Sequence, residues 1–336
     1  MRLETVNLPT LSASLRSICA YTTRLSDAGV PAMHFRHLDL NLLVALQALL
    51  DAKNITQAGK RLHLTQSAMS GALARLRQFF GDDLLVQVGR KMVPTPLGES
   101  LIEPVRDILI KVKTTIETRP GFDPETSARR FSLMMSDFCA TVLMVDVIQR
   151  AEKLAPNVTF EILSNNVEDP REYLDRAEID ALVMPASLLA PDHPQQVLFE
   201  DDFVCIAWSG NDAIGGTITL EQYLELGHVT CQFNRGRTPM VDEWYLQHHG
   251  HSRRIEVLAT SFNAIPLHIV NTHRIGTVQR RLAEYYARIL PIRLIPAPIE
   301  LPVLIETVQW HRLFDGDPGI AWLRQLLLDS ATRASA

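Results

Sequence analysis

Cysteine is scarce: four in 336 residues, at Cys19, Cys139, Cys205 and Cys231, with no C-x-x-C pair among them. That spacing excludes a zinc ribbon, a thioredoxin-like redox site and a disulfide framework. No run of about 18 apolar residues exists, so no membrane-spanning helix is expected. The first residues lack the apolar stretch and cleavage pattern of a secretory signal, and the expected location is the cytoplasm. Neither G-x-G-x-x-G, a phosphate-binding loop, G-x-S-x-G nor a nucleophilic Cys-His pattern occurs, which leaves no motif for nucleotide binding or covalent hydrolysis. His248, His249 and His251 cluster, but adjacent helix positions diverge and no Cys, Asp or Glu completes a ligand set. No metal and no other cofactor is expected, and the chain is not expected to be an enzyme.

What is present is an ordinary globular composition, 46% apolar and 21% charged, in a chain long enough for two or three domains. The net charge of −5 hides an asymmetry. Residues 33–95 hold eight Lys/Arg against four Asp, a net +4, and residues 1–32 carry +1, which leaves −10 for the remainder. A small basic module on a large acidic body suits a head that binds a polyanion.

Residues 1–32 show no clear periodicity and are read as a disordered extension or a start assigned too early. Organised sequence begins at Met33. Leu42, Leu43, Leu46, Leu49 and Leu50 form one apolar stripe of a helix within 39–53. Asn54 and Thr56 are plausible caps for a second short helix ending near Leu62, and Thr65 for a third that Gly81 stops. Residues 84–93 read as two short strands around a Gly89-Arg90-Lys91 turn. Pro96 opens a long helix, 96–119, whose Leu97, Leu101, Val105, Ile108, Val112 and Ile116 approximate a seam for a partner helix. Pro104 is expected to bend it or shift its start. A Pro/Gly cluster then marks a hinge at 120–128.

Beyond the hinge, strand-like runs at 131–135, 158–163, 181–184, 203–208, 229–233, 255–258, 275–278 and 305–310 alternate with helical segments, including 137–154, 240–249, 261–272 and 319–328. Such alternation predicts mostly parallel α/β layers over 129–330, enough for two lobes.

The segment from Ile55 to Ala74 carries the functional signal. Ile55, Ala58 and Leu62 share one face, Leu64 is expected to fill the turn, and Met69 and Leu73 return that face from the next helix. This is a helix-turn-helix, whose second helix enters the major groove of DNA. Its exposed Gln66, Ser67, Ser70 and Gly71 are expected near base edges. Arg75 and Arg77 suit phosphates, and Arg90 and Lys91 would reach the backbone or minor groove.

The stretches HLDLNLLVALQALL (37–50), NITQAGKRLHLTQSAMSGALARLRQFFGDDLLV (54–86) and GRKMVPTPLGE (89–99) resemble the winged helix-turn-helix of the LysR-type transcriptional regulators. The similar branch includes nodulation-gene activators responding to flavonoids and regulators of aromatic-compound degradation. The resemblance implies a winged helix-turn-helix at 33–95, a linker helix that pairs two subunits, and a two-lobed, periplasmic-binding-protein-like effector domain. It implies a dimer or tetramer on double-stranded promoter DNA, a small-molecule inducer of aromatic character, and altered access of RNA polymerase. Many members carry Pro where Ser67 stands and Arg where Gly71 stands, so base preference does not transfer.

By position, the resemblance assigns the inducer to Ser136, Asp137 and Phe138, to Ser164 and Asn165, to Phe233 and Asn234, and to Ser261 and Phe262. Plainer roles compete: Ser136 and Ser261 are good helix caps, and each Phe is a good core residue. Two rival readings are an enzyme tethered to DNA by its head and an architectural DNA-binding protein that needs no ligand. The first lacks a catalytic motif, and the second has no use for a 200-residue two-lobed body.

Overall fold

The structure, a computed structural model, describes residues 38–89, 91–117, 121–232 and 241–333. The chain divides into two compact units, residues 1–109 and 110–336. Arg90, Phe233, Asn234 and the extension at 1–32 lie outside the described residues.

In the first unit, helix α1 (Leu40–Ala52) starts where the Asp39 carboxylate accepts the Asn41 amide at 2.9 Å. Lys53 ends it in the left-handed region at φ 45°. Its Leu42, Leu43, Leu46, Leu49 and Leu50 are all buried, as their spacing predicts. Each contributes roughly 1.5–3 kcal/mol by leaving water. Asn54 caps α2 (Ile55–Arg61), and Thr65 caps α3 (Gln66–Phe80), which Gly81 closes at φ +64°.

Ala58 and Met69 are fully buried where α2 and α3 converge. The closest approach is at Gly59: a Cβ there would stand 2.9 Å from the Leu64 carbonyl oxygen, while the Leu64 amide donates to the Gly59 carbonyl at 2.8 Å. Leu64 departs from expectation, its side chain remaining 45% exposed. Backbone contact at Gly59 closes the turn instead, with Leu62 half-buried beside the core.

Strands β1 (Leu85–Val88) and β2 (Lys91–Pro94) pair antiparallel, with Val88 opposite Lys91. The helix expected over 96–119 is divided. Thr95 caps α4 (Pro96–Ser100), Leu101 interrupts, and α5 (Ile102–Glu117) follows. Pro104 is the third residue of α5, where its missing N–H costs no helical hydrogen bond.

The described residues of the second unit form two five-stranded sheets. The first has the order β4-β3-β5-β12-β6, from β3 (Arg130–Met135), β4 (Thr159–Ser164), β5 (Ala181–Pro185), β6 (Gln195–Asp201) and β12 (Leu304–Gln309). The second has the order β11-β7-β10-β8-β9, from β7 (Phe203–Trp208), β8 (Gly227–Cys231), β9 (Arg254–Ala259), β10 (Ile275–Gln279) and β11 (Ile292–Pro296). The chain passes from the first lobe to the second at Asp202 and returns between β11 and β12.

Both sheets are mixed rather than mostly parallel. Strand β12 runs antiparallel to β5 and β6, and β7 runs antiparallel to β10 and β11. Each sheet therefore contains the strand on which the chain enters or returns. Strands β6 and β11 were not expected from the sequence.

The helix expected over 137–154 breaks at Leu143 into α6 (Asp137–Val142) and α7 (Met144–Leu154). Two short helices, α8 (Pro170–Asp175) and α9 (Leu220–Glu225), were not anticipated. Helix α10 (Val241–His248) falls where expected, and α11 (Ala264–Ile269) is shorter than the predicted 261–272. Gly276 lets α11 lie close on its sheet, since a Cβ there would meet the Ile265 side chain. Helices α12 (Arg280–Ala287) and α13 (Pro318–Arg333) complete the unit. A core that includes Phe131, Phe138, Phe199, Val229, Ile265 and Leu282 is continuous across both lobes.

Candidate functional site

Helix α3 is amphipathic in a way that decides what it can touch. Met69, Ala72, Leu73 and Leu76 are buried, which turns Gln66, Ser67, Ser70, Gly71, Ala74, Arg75 and Gln78 to solvent. From Ile55 to Phe80 the chain holds no Asp or Glu, so no carboxylate on these two helices opposes a phosphate backbone. The Ser67 hydroxyl lies 3.0 Å from that of Thr65, at the cap of α3. Beyond Gly71 the space is open: nothing lies within 4 Å of where its Cβ would stand. Ala74 and Gln78 share this face, and the sequence reading missed them although they continue the spacing set by Ser67 and Gly71.

Arg77 is placed differently from expectation. Its guanidinium donates to the carbonyl oxygens of Asp83 at 2.8 Å and Leu85 at 2.7 Å. It fastens the end of α3 to the wing rather than projecting as a free cation. Lys91 is exposed at the start of β2. The wing is held from below by Asp82, whose carboxylate accepts from the Thr95 hydroxyl and the Leu84 amide, each at 2.6 Å. Those bonds, the Thr95 one first, hold its pKa below the usual carboxylate value.

In the second unit, five of the nine proposed inducer residues come together between the lobes. Ser136 is buried and caps α6, its hydroxyl accepting the Cys139 amide at 3.2 Å. Asp137, the first residue of α6, reaches the other lobe. One carboxylate oxygen accepts from the Ser261 hydroxyl at 2.6 Å and the Asn263 amide at 2.9 Å, and the other from the Phe262 amide at 3.3 Å. Ser261 is thus a donor to Asp137 rather than the cap of α11. Phe138 is fully buried, with its ring edge-to-face against Phe199 and Phe262 at 6.2 and 6.4 Å.

Ser164 pairs with Met135 across the parallel strands β3 and β4, which sets it beside Ser136. Its hydroxyl is exposed and accepts the Asn166 amide at 3.1 Å. Asn165 donates its amide to the Met135 carbonyl, while its side-chain oxygen is buried without a hydrogen-bond partner among the described residues.

Sequence reasoning missed the residues that bind this region together. The Asn263 side chain donates to the Asp137 carbonyl at 3.2 Å and meets the Thr141 hydroxyl at 3.0 Å, and the Tyr286 hydroxyl donates to its oxygen at 3.3 Å. It also missed Glu306. This residue pairs with Phe199 in the sheet, is 3% exposed, and leaves one carboxylate oxygen without a hydrogen-bond partner among the described residues. Burial pushes its pKa up to about 7; the Cys139 thiol's hydrogen bond opposes this and the charge of Asp201 adds to it. Burial likewise raises Asp201, to about 6, and pushes the Cys139 thiol well up. The available signal was a lone carboxylate in the strand-like run LIETVQ (304–309).

Comparison with known proteins agrees with this division. Residues 40–99 match the model of the bacterial regulatory helix-turn-helix protein, lysR family, and residues 124–332 match the LysR substrate binding domain. Nodulation protein D 1 of Bradyrhizobium diazoefficiens is 40% identical over 304 residues, covering 90% of this chain and 96% of that relative. Nodulation protein D 2 of Rhizobium tropici is 42% identical over 300 residues, covering 89% and 95%. A probable transcriptional regulator from Pseudomonas aeruginosa superimposes with a TM-score of 0.59 at 27% identity, over 87% of this chain and 97% of that one. Full-length OxyR from the same organism shares the fold, with a TM-score of 0.60 at 16% identity over 88% and 95%. The chain belongs to the LysR family of DNA-binding transcription regulators: a winged helix-turn-helix head, a linker helix and a two-lobed α/β ligand-binding body.

Proposed function

We propose that α3 reads promoter DNA in the major groove through Gln66, Ser67, Ser70 and Gly71, with Arg75, Lys91 and Arg90 on the phosphates. The observation that carries this reading is the exposed face of α3, polar and free of carboxylates, set on a helix whose opposite face is wholly buried. Arg77 supports the interface by holding the wing in place.

The region around Ser136, Asp137, Phe138, Ser164, Asn165, Ser261 and Phe262, together with Phe233 and Asn234, is proposed to sense a small molecule of aromatic character. Phe262 is one of its apolar walls, and the buried oxygen of Asn165 is one of its unused acceptors. The likeness to nodulation proteins D favours an inducer over a purely architectural role. Ile108 and Ile116, 44% and 79% exposed on α5, support self-association through the linker helix. Regulation then proceeds through RNA polymerase in the cytoplasm, without covalent chemistry by this chain.

Gel shifts with genomic promoter fragments against random competitor, with and without phenols and aromatic acids, test the reading. Preference for one fragment, altered by a small molecule, is expected. Equal binding to all DNA under every condition would overturn it.

A further inference from the structure

One carboxylate gathers a cluster of hydrogen bonds between the two lobes, apart from those Arg281 makes to Asp201, Glu200 and Ala331 beside the crossing at Asp202. Asp137 opens α6 in the first lobe, and the groups it accepts from all lie in the short turn before α11 in the second lobe: the Ser261 hydroxyl, the Phe262 amide and the Asn263 amide. Two of these donors are main-chain N–H groups that lose this partner if the lobes part. Asn263 returns the contact through its side chain to the Asp137 carbonyl and the Thr141 hydroxyl. Hydrogen bonds to an ionised acceptor are about twice as strong as neutral ones, and each buried donor left unmatched carries its own penalty. The contact is therefore cooperative, held or lost as a unit.

Its position distinguishes it from the packing beneath. Phe138 and Phe262, which also meet across the lobes, are buried, whereas Asp137, Ser261 and Asn263 are only half-buried. Solvent, and a competing donor or acceptor, can reach the polar contact before the aromatic one. Phe262 and Ile265 anchor the turn in the core, so displacing Asp137 releases this polar contact without taking the turn out of its packing.

We propose that Asp137 is a positioning residue for the ligand response: through Ser261, Phe262 and Asn263 it latches the two lobes together, and signalling consists in the release of that latch. This rests on the reading that a small molecule acting between the lobes controls DNA engagement. It reassigns Asp137 and Ser261 from direct ligand contacts to the element the ligand displaces.

The test uses the full chain with no small molecule added. Hydrogen exchange is followed in Asp137→Ala, Asp137→Glu and Ser261→Ala, and each variant is footprinted on a genomic fragment selected by the unmodified protein. In Asp137→Ala the Phe262 and Asn263 amides are expected to exchange at least about tenfold faster, with the amides of β3 and β10 unchanged. The ligand-free footprint should change in extent, with Asp137→Glu falling between Ala and the natural residue. Unchanged exchange at Phe262 and Asn263 would overturn the latch. Faster exchange with an unaltered footprint in both Asp137→Ala and Ser261→Ala would reduce it to a structural contact, equally overturning the proposal. Selection of no fragment by the unmodified protein would defeat the regulatory reading itself, and the latch proposal with it.

Discussion

The guanidinium of Arg77 donates to the carbonyl of Leu85 at 2.7 Å, joining the last turn of the recognition helix to the first strand of the wing. A second bond, to the Asp83 carbonyl, spans the connecting loop. Arg77→Ala should therefore lower the melting temperature of the protein, with a loss of roughly 1.5–3 kcal/mol for a charged donor removed from two carbonyls. Arg75→Ala, on the exposed face, should leave melting unchanged and flatten the salt dependence of DNA binding by about one unit. Calorimetry and salt titration separate the two, and the reverse assignment would refute the division of labour.

Gly71 separates folding from recognition. A glycine in a helix interior costs about 1 kcal/mol relative to alanine, and the space around it is open. Gly71→Ala should raise the thermal stability of the head. If the helix backbone lies against DNA here, the same methyl should weaken binding. A variant that is more stable and binds equally well would place position 71 off the interface.

Ser70→Ala should cost about 1–3 kcal/mol of discrimination between the preferred fragment and random DNA if the hydroxyl meets a base edge. An equal loss on both kinds of DNA would assign Ser70 to the phosphate backbone.

Glu306 gives the body a pH dependence of unusual sign. Its folded pKa, about 7, lies above the ordinary value near 4.5. Between these values the native state holds a proton that the unfolded chain has released, so stability falls as pH rises through that window. Asp201, raised to about 6, acts in the same direction. Glu306→Gln should lessen the decline and raise the melting temperature at pH 8, by roughly 4–8 °C for about 2 kcal/mol in a body of this size. Melting curves from pH 5 to 8 check it; parallel curves for both proteins would show that Glu306 is not the group responsible.

Ile108 and Ile116 project into solvent from α5, although they share the apolar spacing that buries Val105. Ile108→Glu with Ile116→Glu should shift sedimentation from the assembled form to the single chain. An unchanged assembly would remove the linker helix from the interface.

Legibility divides along physical lines. The head was readable because its rules are local. Leucines at helical spacing, Asn54 and Thr65 as caps and Gly81 as a stop each act within a few residues, and each fell where expected. Leu64 failed because the turn is closed by Gly59, a close approach between backbones that side-chain size does not reveal. Arg77 failed because a cation at helical spacing looks the same whether it faces a phosphate or the carbonyls of a neighbouring strand. In the body, β6 and β11 were missed because their residues meet partners far along the chain. The Asp137 contact spans 124 residues to Ser261, beyond any periodicity.

Strand β12 lies between β5 and β6, and its residues 304–309 leave the ribosome after every other described strand. The lobe that begins first therefore cannot zip its sheet until 304–309 has been made, while every strand of the other, 203–296, has already emerged. Nascent chains should mature in the inverse of reading order, the later-encoded lobe first. A nonsense codon anywhere before 304 would leave the earlier-made half permanently ajar.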